Sequence, residues 1–283
     1  MALPVYASPL QRAWYYSFRF ICGIIFFFLI FPIIIIIPLS FNSLPFFTFT
    51  PEMLRLDPSA FSLVNYKDFF GNPDWQGALW NSVTIAPVAT ILATSFGTLA
   101  AIGLSQPNMP YRGAIMAILI SPMIVPLIIS AAGMYFFYSR IGLQGTFIGV
   151  VLAHAALGTP FVIITVTATL VGFDQSLTRA AANMGADSVT TFFKVQMPLI
   201  LPGVISGALF AFITSFDEVV VVLFVGSSGQ KTLPWQMFTG LREQISPTIL
   251  SVATILVAMS VLLLTVLELL RRRSERLRGI STR

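Results

Sequence analysis

The sequence predicts an all-α integral membrane protein with six transmembrane helices. Hydrophobic residues make up 56% of the 283 positions and charged residues only 10%, whereas soluble domains carry about 25% charged residues. Because a membrane-spanning segment must satisfy its own backbone hydrogen bonds, each apolar run of about 20 residues predicts a helix. The apolar runs cover residues 20–39, 82–104, 113–137, 143–170, 202–225 and 248–270. We therefore expect residues 1–283 to form a single transmembrane domain.

The first apolar run follows Arg12 and Arg19, as the core of a secretory signal would. The run is longer than a signal-peptide core and has no small-residue cleavage site before Ser40, so we expect a retained first helix. Cys22 lies inside this run and is the one cysteine of the sequence. No disulfide framework is therefore expected.

The second, third and fourth runs carry residues that shape helix ends and bends. Asn81 and Ser82 are good caps for the second helix. Pro122 and Pro126 in the third run and Pro160 in the fourth predict kinks, because proline removes a backbone hydrogen bond. Two glycine pairs with a spacing typical of close helix packing are Gly145 with Gly149 and Gly203 with Gly207.

The basic residues predict the side of the membrane on which each loop lies. Six spans put both termini on one side. That side holds Arg12, Arg19, Arg112, Arg179, Lys194, Arg271, Arg272, Arg273, Arg276, Arg278 and Arg283, and the other side holds Arg55, Lys67, Arg140, Lys231 and Arg242. The positive-inside rule then predicts cytoplasmic termini and a cytoplasmic loop at 174–202. The net charge of +5 needs no nucleic acid, because the basic tail 271–283 suits a surface of anionic lipid.

The loop at 174–202 is the most polar internal segment, and we expect it to form two short helices. Asp174 or Ser176 can cap a first helix through Met184, because a side-chain oxygen there satisfies free amides of the first turn. Gly185 can end that helix in the left-handed conformation.

The second short helix of this loop is expected to follow immediately. Asp187 or Ser188 can cap it, and it would extend to about Val195. Pro198 and Pro202 then mark the point where the chain turns into the fifth span.

Catalytic motifs are missing from the sequence, so we expect no enzyme activity, no cofactor and no metal site. The chain has one histidine and one cysteine, and it contains neither HExxH nor GxSxG. The segment 226–232 has the residues of a phosphate-binding loop, but only two residues separate its glycines where that loop needs four. His154 lies in the fourth run, either as a packed histidine bonded to a neighbouring helix or as a proton relay.

Asp217 and Glu218 interrupt the fifth apolar run. A carboxylate at the centre of a membrane helix costs about 2.5–3.5 kcal/mol, so the pair needs a function or a partner. Adjacent residues of a helix point about 100° apart, so one carboxylate can face a solute pathway while the other pairs elsewhere. The alternative is a structural pairing with Arg140 or Lys231.

The cytoplasmic loop resembles the EAA loop of ABC importer permeases, whose pattern is E-A-A-x3-G-x9-I-x-L-P. Two alanines, Gly185 and Pro198 match that pattern, and Val195 and Met197 are conservative replacements. Arg179 stands where the family has Glu. The acidic pair, about thirty residues after Gly185, is similar to that of the spermidine/putrescine permeases of this superfamily, particularly the PotC-like subunit.

The resemblance implies a type I ABC importer permease fold, with one wrapping helix before a core of five. It also implies a location in the bacterial inner membrane with three kinds of partner, namely a second permease subunit, a dimer of cytoplasmic ATPases and an external substrate-binding protein. ATP would be hydrolysed by the partner. The residues implied in coupling to that ATPase are Arg179, Ala180, Ala181, Ala182, Gly185, Val195, Met197 and Pro198.

The resemblance also implies that Asp217 and Glu218 line the pathway of a cationic solute, such as a polyamine. Two alternatives stay open. One is an ABC permease for an opine, iron or a phosphonate. The other is a proton-coupled secondary transporter in which Asp217, Glu218 and His154 relay protons.

Overall fold

The computed structural model describes residues 8–106, 108–244 and 246–277, and its regular elements there are helices. The α-helices in these ranges are α1 (Pro9–Ser40), α2 (Pro51–Leu54), α3 (Val64–Gly71), α4 (Pro73–Leu104), α5 (Arg112–Ile124), α6 (Leu127–Ile141), α7 (Phe147–Val171), α8 (Ser176–Asn183), α9 (Ser188–Thr191), α10 (Met197–Phe216), α11 (Val220–Val225), α12 (Leu233–Thr239) and α13 (Thr248–Leu277). Contacts divide the chain into two units, Met1–Asn72 with Gly240–Arg283, and Pro73–Thr239. The expected all-α membrane fold is confirmed.

In the first unit, α1 packs against α13, and α13 also contacts α3. Ser8 caps α1, since its hydroxyl accepts the amide of Gln11 while the Gln11 side chain accepts the amide of Ser8. None of the most apolar window of α1 is buried within this chain. The surface of α1 is therefore offered to lipid or to another subunit.

The segment between α1 and α3 is tied to the helix ends of the same unit. The Asn65 amide donates to the carbonyls of Ser40 and Asn42, each at 3.2 Å. Asp68 accepts the hydroxyl proton of Thr248 at 2.6 Å. These bonds fix the segment to the carboxyl end of α1 and the amino end of α13.

The second unit is built around α7, which packs against α4 and α10. Small residues let the three backbones approach closely. A Cβ atom on Gly158 would lie 2.9 Å from Cβ of Ala211 and 3.3 Å from Cβ of Ala93. Further along the same contact, Gly207 faces Val162. A larger side chain at either glycine would push these helices apart.

The predicted spans correspond to helices, but the third and the fifth runs are each broken into two helices. Among the described residues, four helices are long and apolar enough to cross a membrane: α1, α4, α7 and the continuous segment Ser188–Phe216. The third run is broken at Val125 and Pro126 into α5 and α6, which are bent by 103° and together could form a fifth span. The last run lies within α13, which is apolar from its start at Thr248.

Two local predictions in these helices need correction. α4 begins at Pro73, so Asn81 and Ser82 lie inside the helix and do not cap it. Gly145 has a φ of +70° in the turn before α7, so its pair with Gly149 does not form a helix-packing motif. Pro160 lies within α7, which is one helix from Phe147 to Val171, and the expected kink there stays a prediction. By contrast, Gly203 and Gly207 do face α7 at Thr169, Thr165 and Val162.

Candidate coupling loop and carboxylate site

The first helix of the 174–202 loop forms as the sequence predicts. Asp174 accepts the amide of Ser176 at 2.8 Å and its hydroxyl at 2.7 Å, and α8 follows. These two hydrogen bonds hold the pKa of Asp174 below its usual range, and the bond from the amide has the larger effect. The loop therefore begins with a carboxylate that stays ionised and is occupied by its own helix.

Gly185 ends α8 with a φ of +86°. Its amide donates to the carbonyl of Ala182 at 2.9 Å, and the amide of Ala186 donates to that of Ala181 at 3.1 Å. This pair of bonds is the Schellman motif, which needs a left-handed residue where glycine has no steric cost. The predicted glycine turn is confirmed.

The second helix of the loop does not stop near Val195, as predicted. Asp187 caps α9 through the amide of Thr190 at 3.0 Å, but the helix continues through a π-helical turn at Phe192–Gln196 directly into α10. Pro198 follows directly after this π-helical turn, where the hydrogen-bond pattern of the helix already departs from the regular i→i−4 ladder. The expected turn at Pro198 and Pro202 is therefore wrong, because both prolines are accommodated inside one helical segment.

The three alanines of α8 do not share one exposed surface. Ala181 is 3% exposed, and Thr178 beside it is half-buried. Arg179, Ala180 and Ala182 are exposed. The helix thus contacts its own chain through Ala181, and its outward face contains an arginine between small side chains.

A cavity of about 310 Å³ separates part of this loop from the ends of α4 and α7. Its lining is uncharged and includes Ser105, Gln106, Phe173, Thr178, Ala182 and Gln196. Because the loop is not densely packed there, α8 has room to shift toward the helix ends.

The acidic pair lies at a helix break, which the sequence did not predict. α10 ends at Phe216 and α11 begins at Val220, so the predicted span 202–225 is discontinuous. Asp217 is exposed, whereas Glu218 is 7% exposed. The Glu218 carboxylate accepts the amide of Val221 at 2.6 Å. It satisfies one of the free amides that every helix start leaves, and in this way it caps α11.

The predicted basic partners of this pair are not bonded to it. The ammonium group of Lys231 lies 5.8 Å from the ring centroid of Trp235, and Arg140 is exposed. Within the described parts of the chain, no ion pair to Asp217 or Glu218 is found. The structural alternative of a pairing with Arg140 or Lys231 is therefore not realised in this chain.

His154 supports the carboxyl end of α10. Its ring is fully buried, and Nδ1 lies 2.8 Å from the hydroxyl oxygen of Ser215, two residues before Asp217. Its Nε2 atom is buried without a partner among the described residues, and no hydrogen bond joins this ring to either carboxylate there. This contact matches the packed-histidine alternative.

Asn81 and Ser82 form a connection that sequence reasoning missed. Asn81 donates to the carbonyls of Gly229 at 3.0 Å and Lys231 at 2.9 Å, and Ser82 accepts the amide of Leu233 at 2.8 Å. They fasten the loop that follows α11 to α4. In the sequence these are two polar residues at the start of an apolar run, and this pattern does not indicate which residues they contact.

Comparison with known proteins matches the chain to one family. The family model that describes the inner membrane component of binding-protein-dependent transport systems matches residues 93–278. Over 252 residues the chain is 32% identical to the spermidine/putrescine transport system permease protein PotC of Haemophilus influenzae, covering 89% of this chain and 95% of that one. It is 30% identical over 241 residues to PotC of Escherichia coli K12, covering 85% and 88%.

Two further comparisons extend this match. The putrescine transport system permease protein PotI of Escherichia coli K12 is 28% identical over 199 residues, with 68% of this chain and 70% of that one covered. Among solved structures, a bacterial ABC transporter involved in the import of the acidic polysaccharide alginate has a chain with a TM-score of 0.75. It is 16% identical, and 94% of this chain and 99% of that chain are covered. This structural likeness shows the permease fold.

Proposed function

The chain belongs to the family of binding-protein-dependent transport system inner membrane components, and we propose that it forms the polyamine pathway of an ATP-driven importer. As a family member it is a multi-pass inner-membrane permease subunit and not an enzyme. The resemblance to this family is confirmed. The polyamine substrate is proposed because spermidine and putrescine are named for its relatives and because an exposed carboxylate lies at the break between α10 and α11.

Asp217, rather than Glu218, is the residue we assign to the solute. Glu218 is buried and occupied by the amide of Val221, while Asp217 is exposed. The carboxyl end of α10 carries about half an elementary negative charge, which adds to the charge of Asp217. Broken membrane helices use such ends to bind cations. An ammonium group that loses its hydration water there is stabilised both by the carboxylate of Asp217 and by the negative end of α10.

Coupling is assigned to the continuous helix that joins the cytoplasmic loop to Asp217. The segment Ser188–Phe216 has 29 residues, which at 1.5 Å per residue makes a rod of about 43 Å. A displacement at its loop end would reach the carboxylate without crossing a flexible connection.

The loop residues divide into three groups in this proposal. Arg179, Ala180 and Ala182 are exposed and form the surface for the ATPase. Ala181 and Gly185 set the position of α8 from the inside. Val195, Met197 and Pro198 belong to the start of the rod. We further propose a second permease subunit, two ATPase subunits and an external binding protein as partners, with both termini in the cytoplasm.

Transport by purified components in proteoliposomes tests this function. With the second permease subunit, the ATPase and the binding protein present, we expect uptake of spermidine or putrescine. This uptake should require ATP and should not depend on a proton gradient. Preferred uptake of an opine, iron or a phosphonate would show that the proposed substrate is wrong and that the protein is still part of an ATP-driven importer. Uptake driven by a proton gradient without the ATPase would instead establish the secondary-transporter alternative.

A further inference from the structure

We propose that the ATPase surface that receives α8 presents an acidic side chain to Arg179. The inference rests on the proposed function, since it needs an ATPase that docks on this loop. It adds the chemistry of the contact, a carboxylate facing a guanidinium.

The two carboxylates of the loop are already used within it. Asp174 accepts two hydrogen bonds from Ser176, at 2.8 and 2.7 Å. Asp187 accepts the amide of Thr190 at 3.0 Å, and hydrogen bonds from Thr190 hold its pKa below the usual range. Both carboxylates are therefore held by hydrogen bonds at the starts of α8 and α9, and neither forms an ion pair with Arg179.

Arg179 is a cation without such a partner. Its side chain is exposed, and no ion pair or hydrogen bond of its guanidinium is found within residues 174–202, all of which the structure describes. Its influence on the pKa of Asp174 is the smallest of the effects acting there. The five N–H donors of the guanidinium remain available to another protein.

The helix geometry places Arg179 on the side of α8 opposite Ala181. Ala181 lies two positions after Arg179, so the two side chains are about 200° apart around α8, and Ala181 is the residue buried against the chain. The flanking Ala180 and Ala182 are exposed and short. A groove that covers this face must therefore enclose the guanidinium, since its neighbours are too short to hold the groove away.

Enclosing an unpaired guanidinium would remove its water at a high free-energy cost. A carboxylate in the groove offsets this cost, because its two oxygens match the fork of the guanidinium. A basic or purely apolar groove would leave the cost uncompensated. The covered surface is thus compatible with an acidic partner residue and incompatible with a basic one.

The test is the affinity of the purified ATPase for the two permease subunits assembled in nanodiscs, measured at low and at high salt. We expect Arg179→Gln to raise Kd about tenfold or more and Arg179→Glu to raise it further, as for a desolvated charge pair. Arg179→Lys should recover part of the affinity, because it keeps the charge but not the fork. The wild-type Kd should rise with salt more steeply than that of Arg179→Gln.

Lys194→Glu is the matched control, since Lys194 is an exposed cation on the same loop and the change in charge is the same. We expect it to change Kd by no more than about twofold, as rim charges do. If Arg179→Glu binds the ATPase as tightly as wild type or more tightly, the inference about Arg179 is wrong but the proposed function stands. The same holds if Lys194→Glu loses as much affinity as Arg179→Glu. If the wild-type permease does not bind the ATPase, the proposed function fails and the inference with it.

Discussion

The carboxylate of Glu218 accepts the backbone amide of Val221 at 2.6 Å, and this bond marks the start of α11. The residue before it, Asp217, closes α10 by donating its amide to the carbonyl of Ile213 at 3.0 Å. Two adjacent acids thus belong to two different helix ends. Their side chains differ accordingly, one buried as a cap and the other exposed.

Replacing Glu218 should lower the stability of the protein rather than act directly on transport. Glu218→Ala removes the cap and should lower the free energy of unfolding by about 1 kcal/mol. Glu218→Gln keeps an oxygen acceptor and should cost less. Thermal unfolding of the detergent-purified protein measures both. If Glu218→Gln has the unfolding temperature of the wild type and yet abolishes uptake, Glu218 contacts the solute and its role as a cap does not explain its effect.

The contact between His154 and Ser215 should be visible as an energetic coupling. Ser215→Ala leaves the buried Nδ1 of His154 unpaired, which costs about 1–3 kcal/mol. The double variant with His154→Leu should cost less than the sum of the two single variants. Ser206→Ala, at an exposed position of the same helix, serves as the control and should be neutral. Strict additivity would show that the two side chains act independently.

The turn at Gly185 should be required for coupling rather than for insertion. Gly185→Ala forces a side chain into the left-handed region at a cost of about 1–2 kcal/mol. We expect normal amounts in the membrane but reduced uptake and reduced stimulation of the ATPase. Gly172→Ala is the control, because Gly172 has a φ of −90° and open surroundings. Equal effects at both positions would remove the special role of the turn.

The proposed orientation can be tested with an impermeant thiol reagent. In a Cys22→Ser background, Gly71→Cys introduces an exposed thiol where a Cβ atom meets nothing within 4 Å. We expect labelling in intact cells, and we expect a C-terminal tag to be reached only after lysis. Labelling of residue 71 only after lysis would reverse the topology.

Hydropathy and local turn chemistry explain why much of the fold was predictable. The glycine turn at Gly185 and the cap at Asp187 depend on residues within five positions of each other, so the sequence contains their cause. The spans depend on apolar length, which the bilayer sets. The errors arose where a distant or ambiguous contact decides the structure.

Three positions illustrate those errors. Asn81 donates to carbonyls about 150 residues away, so its reading as a local cap was wrong. Pro198 fits the first turn of a helix as well as it fits a loop, and the sequence does not distinguish these cases. Glu218 lies at the break in the fifth span, where its side chain accepts the amide of Val221, and a count of apolar residues does not register such a bond.

The role of Asp217 is tested most directly by uptake of spermidine in the reconstituted importer carrying Asp217→Asn. Glu218→Gln is measured beside it, with assembly of the subunits and basal ATPase activity followed in both. We expect the importer with Asp217→Asn to assemble and to hydrolyse ATP normally but to lose most uptake, while uptake by the importer with Glu218→Gln follows the amount of folded protein. Full uptake by Asp217→Asn would contradict the assignment of the cation pathway to this carboxylate.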